Sequence, residues 1–292
     1  MIVALTIVGS PFSPSPLPVD SPSPCSSPPL PLVSHSNKML TSYLTRIGVT
    51  RPSGPTLAAL RELHAAHVSA IPFENLDILL GAGISLDLER IYAKLVTKRR
   101  GGYCFEHNTL FLSVLRDLGF SAAPLEARVR IGSTAVRPRT HMVLVVRVAE
   151  DEWLADVGFG GEGPIEPVAM SPDRPSDLVH RVVPEGSGRV LQMRSGGAWI
   201  DLYAFLPETV HPVDFEVANW YTSTYPESPF VRTLTAQRTT RDVRYVLRYP
   251  TYSEIRGDNV RTREISRSDL VPLLRDVFLI DVPADARFSA ID

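Results

Sequence analysis

A chain of 292 residues with 44% hydrophobic content can bury a large core and has the length for more than one subdomain. Its 30 Lys and Arg against 32 Asp and Glu leave a formal charge of -2, which argues against broad binding to nucleic acid or anionic membranes. Two cysteines, Cys25 and Cys104, make a disulfide scaffold improbable and fit a reducing, cytoplasmic setting, and no apolar run has the length to cross a bilayer.

In chain order, residues 1–38 stand apart. After the short apolar run Ile2–Val8, the stretch from Ser10 to Ser36 is rich in Pro and Ser and almost uncharged, so it is expected to be disordered or polyproline-like. No basic residues precede the apolar run, which argues against a secretory signal. The favoured reading is a start at Met39, with the first 38 residues an upstream artefact or a dispensable tail. From Met39 to about Gly119 the pattern is helical. Thr41–Ile47, Thr56–Val68 and Leu86–Val96 carry apolar residues at three- and four-residue spacing, punctuated by Pro55 and Pro72. A further helix follows Cys104, marked by Leu110, Phe111, Val114, Leu115 and Leu118 and stopped by Gly119.

From about Ala122 the period changes to two. Strands are expected at Ala127–Ile131, Met142–Val148, Glu152–Val157, Val190–Arg194 and Ala198–Phe205, with hairpin turns at Gly186-Ser187-Gly188 and Ser195-Gly196-Gly197. The last third mixes strands (Arg232–Gln237, Val243–Tyr249) with a helix over Asp269–Phe278 that Ser268 would cap. The class is α+β: a helical bundle over 39–121, an antiparallel sheet or small barrel over 122–227, and a mixed α/β module over 228–292.

Chemistry concentrates in Arg100-Gly101-Gly102-Tyr103-Cys104-Phe105-Glu106-His107-Asn108. Cys104 falls where a Gly-Gly turn meets a helix start, and the unpaired N–H groups there favour thiolate, the nucleophilic form. The glycines are expected to permit close backbone approach and dihedrals closed to other residues. Glu106 is expected to make a structural hydrogen bond. A thiolate nucleophile needs a base oriented by a third group. Of seven histidines, His141 opens an apolar strand, and the next strand carries Asp156, a carboxylate that needs a partner among apolar neighbours. His64 and His67 read as packed or capping residues rather than metal ligands, and His107 as structural. A regular hairpin with its polar turn at Ala149–Glu152 would set Val145 opposite Asp156 and leave His141 too distant. The pairing therefore predicts a bulge or asymmetric turn that displaces the register by four.

These segments, with Ile71-Pro72-Phe73-Glu74-Asn75-Leu76, Thr140-His141-Met142 and Asp156-Val157-Gly158-Phe159-Gly160, resemble the arylamine N-acetyltransferases, in order and over nearly all of Met39–Asp292. The resemblance implies a helical first domain, a β-barrel second domain and an α/β lid, in a papain-like arrangement. It implies Cys104 as nucleophile, His141 as base and Asp156 as orienting acid, with Phe73, Val129 and Phe159 around an aryl pocket. It further implies a ping-pong reaction: acetyl-CoA as acyl-donor substrate, an acetyl-cysteine, then an arylamine or arylhydrazine as acceptor. No permanently bound cofactor, metal, nucleic acid or membrane is implied. The residues that would hold the CoA phosphates are not identified; Arg137 and Arg139, beside Ser133 and Thr134, are candidates. An amide synthase of the same fold, forming macrolactams, is the nearest alternative. A thiol hydrolase or transglutaminase-like enzyme and a silent binding module rank lower.

Overall fold

The computed structural model describes residues 33–133, 135–171, 179–283 and 285–291, with side chains from residue 37 onward. The Pro/Ser-rich stretch up to residue 32, Cys25 within it, and Thr134 lie outside the described residues. Helix α1 (Val33–Ile47) begins ahead of Met39, so the boundary expected at residue 38 falls inside a helix. Helix α2 (Leu57–Ala70) starts where the Thr56 side chain accepts from the Ala59 N–H, and it ends at Ile71, because Pro72 has no N–H to continue it. Strand β1 (Phe73–Glu74) and the short helices α3 (Leu76–Leu79) and α4 (Leu88–Tyr92) follow. A single π-helical turn, Ala93–Thr97, extends α4. Helix α5 (Cys104–Asp117) buries Leu110, Phe111, Val114 and Leu115 against Leu40, Tyr43 and Leu44 of α1 and Leu60 and Leu63 of α2. Truncating a fully buried ring such as Phe111 to Ala costs about 3–5 kcal/mol.

Seven antiparallel strands come next: β2 (Ser121–Val129), β3 (His141–Val148), β4 (Asp151–Ala155), β5 (Val168–Ala169), β6 (His180–Glu185), β7 (Gly188–Ser195) and β8 (Ala198–Phe205). Their order is β5-β4-β3-β2-β8-β7-β6, and the two edge strands approach each other, so the sheet nearly closes into a barrel. The hairpins expected at Gly186-Ser187-Gly188 and Ser195-Gly196-Gly197 are present, with the turns confined to Gly186-Ser187 and Gly196-Gly197, since Glu185 pairs with Gly188 and Ser195 with Ala198. Leu125, Ala127, Val143, Leu154, Leu191 and Tyr203 fill the barrel as a core of its own.

The period-two reading of 122–227 missed helix α6 (Pro212–Thr224), whose Phe215 and Ala218 enter the first core rather than the barrel's. After α7 (Pro229–Arg232) come β9 (Thr235–Thr239), β10 (Arg244–Arg248), β11 (Thr251–Arg256), β12 (Asn259–Glu264) and α8 (Arg267–Asp276). The cap of α8 is Ser266, which accepts from the Asp269 N–H, and not Ser268. Strand order here is β1-β9-β10-β11-β12, with Phe73 opposite Gln237 and Glu74 opposite Ala236. The C-terminal sheet therefore begins on a strand from the helical segment, and Leu76 and Leu79 share its core with Leu234, Leu247 and Leu270. Among the described residues, no helix is long and apolar enough to cross a membrane.

Candidate active site

Cys104 is the first residue of α5 and is buried. The helix starts there because Tyr103 is extended and its N–H donates to Glu106 Oε2 at 3.1 Å, one half of a capping box. Glu106 Oε1 accepts from Lys94 Nζ at 2.8 Å, so this carboxylate braces the helix start, as expected. Neither Gly101 nor Gly102 adopts a positive φ. A Cβ on Gly101 would instead run into the Pro72 carbonyl oxygen, where the Pro72–Glu74 backbone crosses the loop and Glu74 N–H donates to Gly102 O at 2.7 Å. Glycine is needed here for protein packing, not for a forbidden dihedral.

Cys104 Sγ donates to the carbonyl of Thr140, the residue before His141, at 3.8 Å. Burial first, then the negative charge of Asp156, pushes the thiol up, while the N–H groups of Met142 and Phe105 pull the other way. Burial and Asp156 outweigh those N–H groups, so the helix start by itself does not lower the thiol as expected.

Strands β3 and β4 pair regularly, from Val148 opposite Asp151 to Leu144 opposite Ala155. The turn is the dipeptide Ala149-Glu150, with Ala149 at φ 53, and no bulge is present. The expected bulge is therefore wrong, and so is the inference that a regular hairpin separates the pair. Extending the register one step sets Asp156 beside Val143, and His141 is its diagonal neighbour on the same face, within reach of a long side chain. His141 Nε2 donates to Asp156 Oδ2 at 2.7 Å, with both side chains buried.

Two residues to which the sequence assigned no such part complete the acid's surroundings. Asn108, one turn beyond Cys104, donates from Nδ2 to Asp156 Oδ1 at 3.0 Å and to the Met142 carbonyl at 2.7 Å, and its Oδ1 accepts from the Val157 N–H at 3.2 Å. His64 Nε2 accepts from the Asp156 N–H at 3.1 Å, which puts its proton on Nδ1, donated to the Ile165 carbonyl at 2.8 Å. Burial pushes the Asp156 carboxyl up, but His141, Asn108 and the Gly158 N–H together hold it below the usual carboxylate range. Asp156 is an acceptor for this histidine and not a proton source.

Phe73 and Phe159 line one small cavity with Asp156, Val157 and Gln237. Val129 is half-buried at the end of β2, opposite Tyr203, and does not line it. The Tyr203 ring lies 5.0 Å from His141 and 5.1 Å from Phe159, and Phe230 of α7 lies 5.9 Å from Phe73. His107 donates from Nε2 to the Pro72 carbonyl at 3.1 Å and its Nδ1 accepts from His67 Nε2 at 2.8 Å, a structural role. Arg139 is paired with Glu208 at 3.0 Å and Glu126 at 3.6 Å, and Arg137 donates to the Ile131 carbonyl at 3.4 Å, so Arg139 is committed to carboxylates.

A family model described as N-acetyltransferase matches residues 56–287. The arylamine N-acetyltransferase of Mycolicibacterium smegmatis is 42% identical over 218 residues, 72% of this chain and 79% of that one. The chain belongs to the arylamine N-acetyltransferase family. It is an acyltransferase of that family, and the solved structures agree in shape. The Salmonella typhimurium arylamine N-acetyltransferase superposes with a TM-score of 0.79 at 34% identity, covering 84% of this chain and 92% of that one. The Mycobacterium marinum arylamine N-acetyltransferase in complex with CoA superposes with a TM-score of 0.76 at 36% identity, covering 82% and 92%.

Proposed function

We propose that Cys104, His141 and Asp156 form a Cys-His-Asp triad that carries an acetyl group from acetyl-CoA to an arylamine or arylhydrazine. The observation that carries this reading is the buried 2.7 Å hydrogen bond from His141 Nε2 to Asp156. It supports a reading in which the ring's other nitrogen, Nδ1, is the proton acceptor, on a residue whose neighbour Thr140 receives the Cys104 thiol. Proton transfer from Sγ to Nδ1 creates thiolate and imidazolium together, and Asp156 stabilises the cation.

The thiolate attacks the thioester carbonyl, and the Cys104 N–H, at the first position of α5 where no intrahelical acceptor exists, donates to the oxyanion. The carbon–sulfur bond to CoA breaks, and the imidazolium proton goes to the departing CoA sulfur. An aromatic amine, neutral near pH 7, attacks the acetyl-cysteine, gives its proton to His141 and releases the Cys104 thiolate. Phe73, Phe159 and Phe230 form the aryl-binding walls, with Val129 at their margin beside Tyr203. The helical segment supplies the nucleophile, the barrel supplies base and acid, and residues 228–292 act as the lid, similar to a papain-type arrangement. A working thiol fits the reducing cytoplasm.

Initial-rate kinetics test the scheme. With acetyl-CoA and an aminobenzoate varied together, double-reciprocal plots run parallel for a covalent ping-pong reaction. Lines that intersect would mean direct transfer within a ternary complex and would overturn it.

A further inference from the structure

Gln237 lies outside the triad and is buried, at 6% exposure. It sits on β9 directly opposite Phe73 of β1, and its other neighbour in the sheet is Val246 of β10. Its side chain leaves the sheet and accepts, through Oε1, the N–H of Gly161. Gly161 is two residues beyond Phe159, whose ring lies 5.1 Å from the His141 ring. One amide group thus joins a strand register that contains Phe73 to the loop that carries Asp156 and Phe159.

The loop is shaped around this amide. Gly160 has φ +91, a conformation that L side chains rarely adopt, and a Cβ there would sit 2.5 Å from Gln237 Oε1. A Cβ on Gly161 would sit 2.9 Å from the same oxygen and 3.0 Å from Val246 Cγ2. The cavity bounded by Phe73, Asp156, Phe159, Gly160 and Gln237 is only about 10 Å³, at most one water's worth.

We propose that Gln237 is a positioning residue for the acceptor half of the reaction, fixing the gap between Phe73 and Phe159 through the Gly160-Gly161 backbone. It touches neither the thiol nor the base, so it acts on binding of the aromatic acceptor rather than on formation of the acetyl-enzyme. This rests on the acetyl-cysteine reading above, and measuring the two half-reactions separately distinguishes the failure of one from that of the other.

In the first half-reaction, acetyl-CoA alone is mixed with enzyme and the acetyl-enzyme is followed by mass. In the second, preformed acetyl-enzyme is discharged with an aminobenzoate. If wild type forms no acetyl-enzyme, the underlying reading fails, whatever Gln237 does. If it does form, Gln237→Met is expected to acetylate within about twofold of wild type and to need about tenfold more aminobenzoate for half-maximal discharge. Gly161→Ala, whose Cβ crowds the same oxygen and Val246 Cγ2, is expected to give the same split and serves if Gln237→Met does not fold. The double variant is expected to keep the same split, with acetylation near that of wild type and discharge impaired, because both changes act at the Gln237–Gly161 contact. Equal loss in both half-reactions, or an unchanged discharge, would overturn the proposal.

Discussion

Asp156 is held by partners remote in sequence, His64 at a separation of 92 residues and Asn108 at 48, as well as by His141. Asp156→Asn keeps the shape but offers His141 an amide, so its ring turns to the wrong tautomer or loses its anchor. Turnover is expected to fall by about 10³-fold or more with the fold intact by circular dichroism. Asn108→Ala leaves Asp156 Oδ1, the Met142 carbonyl and the Val157 N–H each short of a partner inside the protein. Chemical denaturation should show a loss of about 2–4 kcal/mol. Burial lowers His64 and His107 from 6.5 to about 4. For such bases the unfolded chain takes up protons first as pH falls, so the folded state loses stability between pH 6.5 and about 4 and levels off below. Each contributes at most about 3 kcal/mol to that loss. Denaturation midpoints measured from pH 7.5 to 4 should decline through that window, and a flat profile would contradict the neutral, buried assignment. That Cys104, His141 and Asp156 lie together was legible because each sits in a compact local pattern. His64 and Asn108 were not, because a histidine on an apolar helix face and an asparagine inside a motif acquire their roles only from contacts made by folding.

At the scale of elements, the β3–β4 hairpin shows how a correct pairing can be reached through a wrong register. Alternation in Met142–Val148 and Glu152–Val157 fixed which faces meet, but nothing local identified Ala149-Glu150 as the turn. Ala149 carries a positive φ without being Gly or Asn, at a cost of roughly 1 kcal/mol. Ala149→Gly is therefore expected to raise stability by about 0.5–1 kcal/mol and leave activity unchanged, as read from paired denaturation and rate measurements. Helix α6 escaped the sequence reading for a related reason. Its buried residues, Phe215, Ala218, Asn219 and Thr222, are half polar, while Val213, Val217 and Trp220 are exposed, so no clean apolar stripe announces it. Tyr103, next to Cys104, donates its hydroxyl to Asn219, which ties this helix to the start of α5.

For the whole molecule, the change of hydrophobic period near Ala122, from helical spacing to alternation, coincides with the first barrel strand, which starts at Ser121. The way the modules interlock was not legible in the sequence. Strand β1 belongs to the helical segment in sequence and to the C-terminal sheet in space, because two residues, Phe73-Glu74, are too short to register as a strand by periodicity. That shared sheet brings Phe73 over the barrel's Asp156–Gly161 loop, so the site is assembled from all three parts of the chain. The central claim is that this assembly makes Cys104 a covalent acetyl carrier. Intact-mass spectrometry of the purified protein after incubation with acetyl-CoA alone tests it most directly. The account predicts one added acetyl group, retained in Cys25→Ser, absent in Cys104→Ser, and discharged by an added arylamine. Folded wild-type protein that stays unmodified, or an acetyl group that persists in Cys104→Ser, would contradict it.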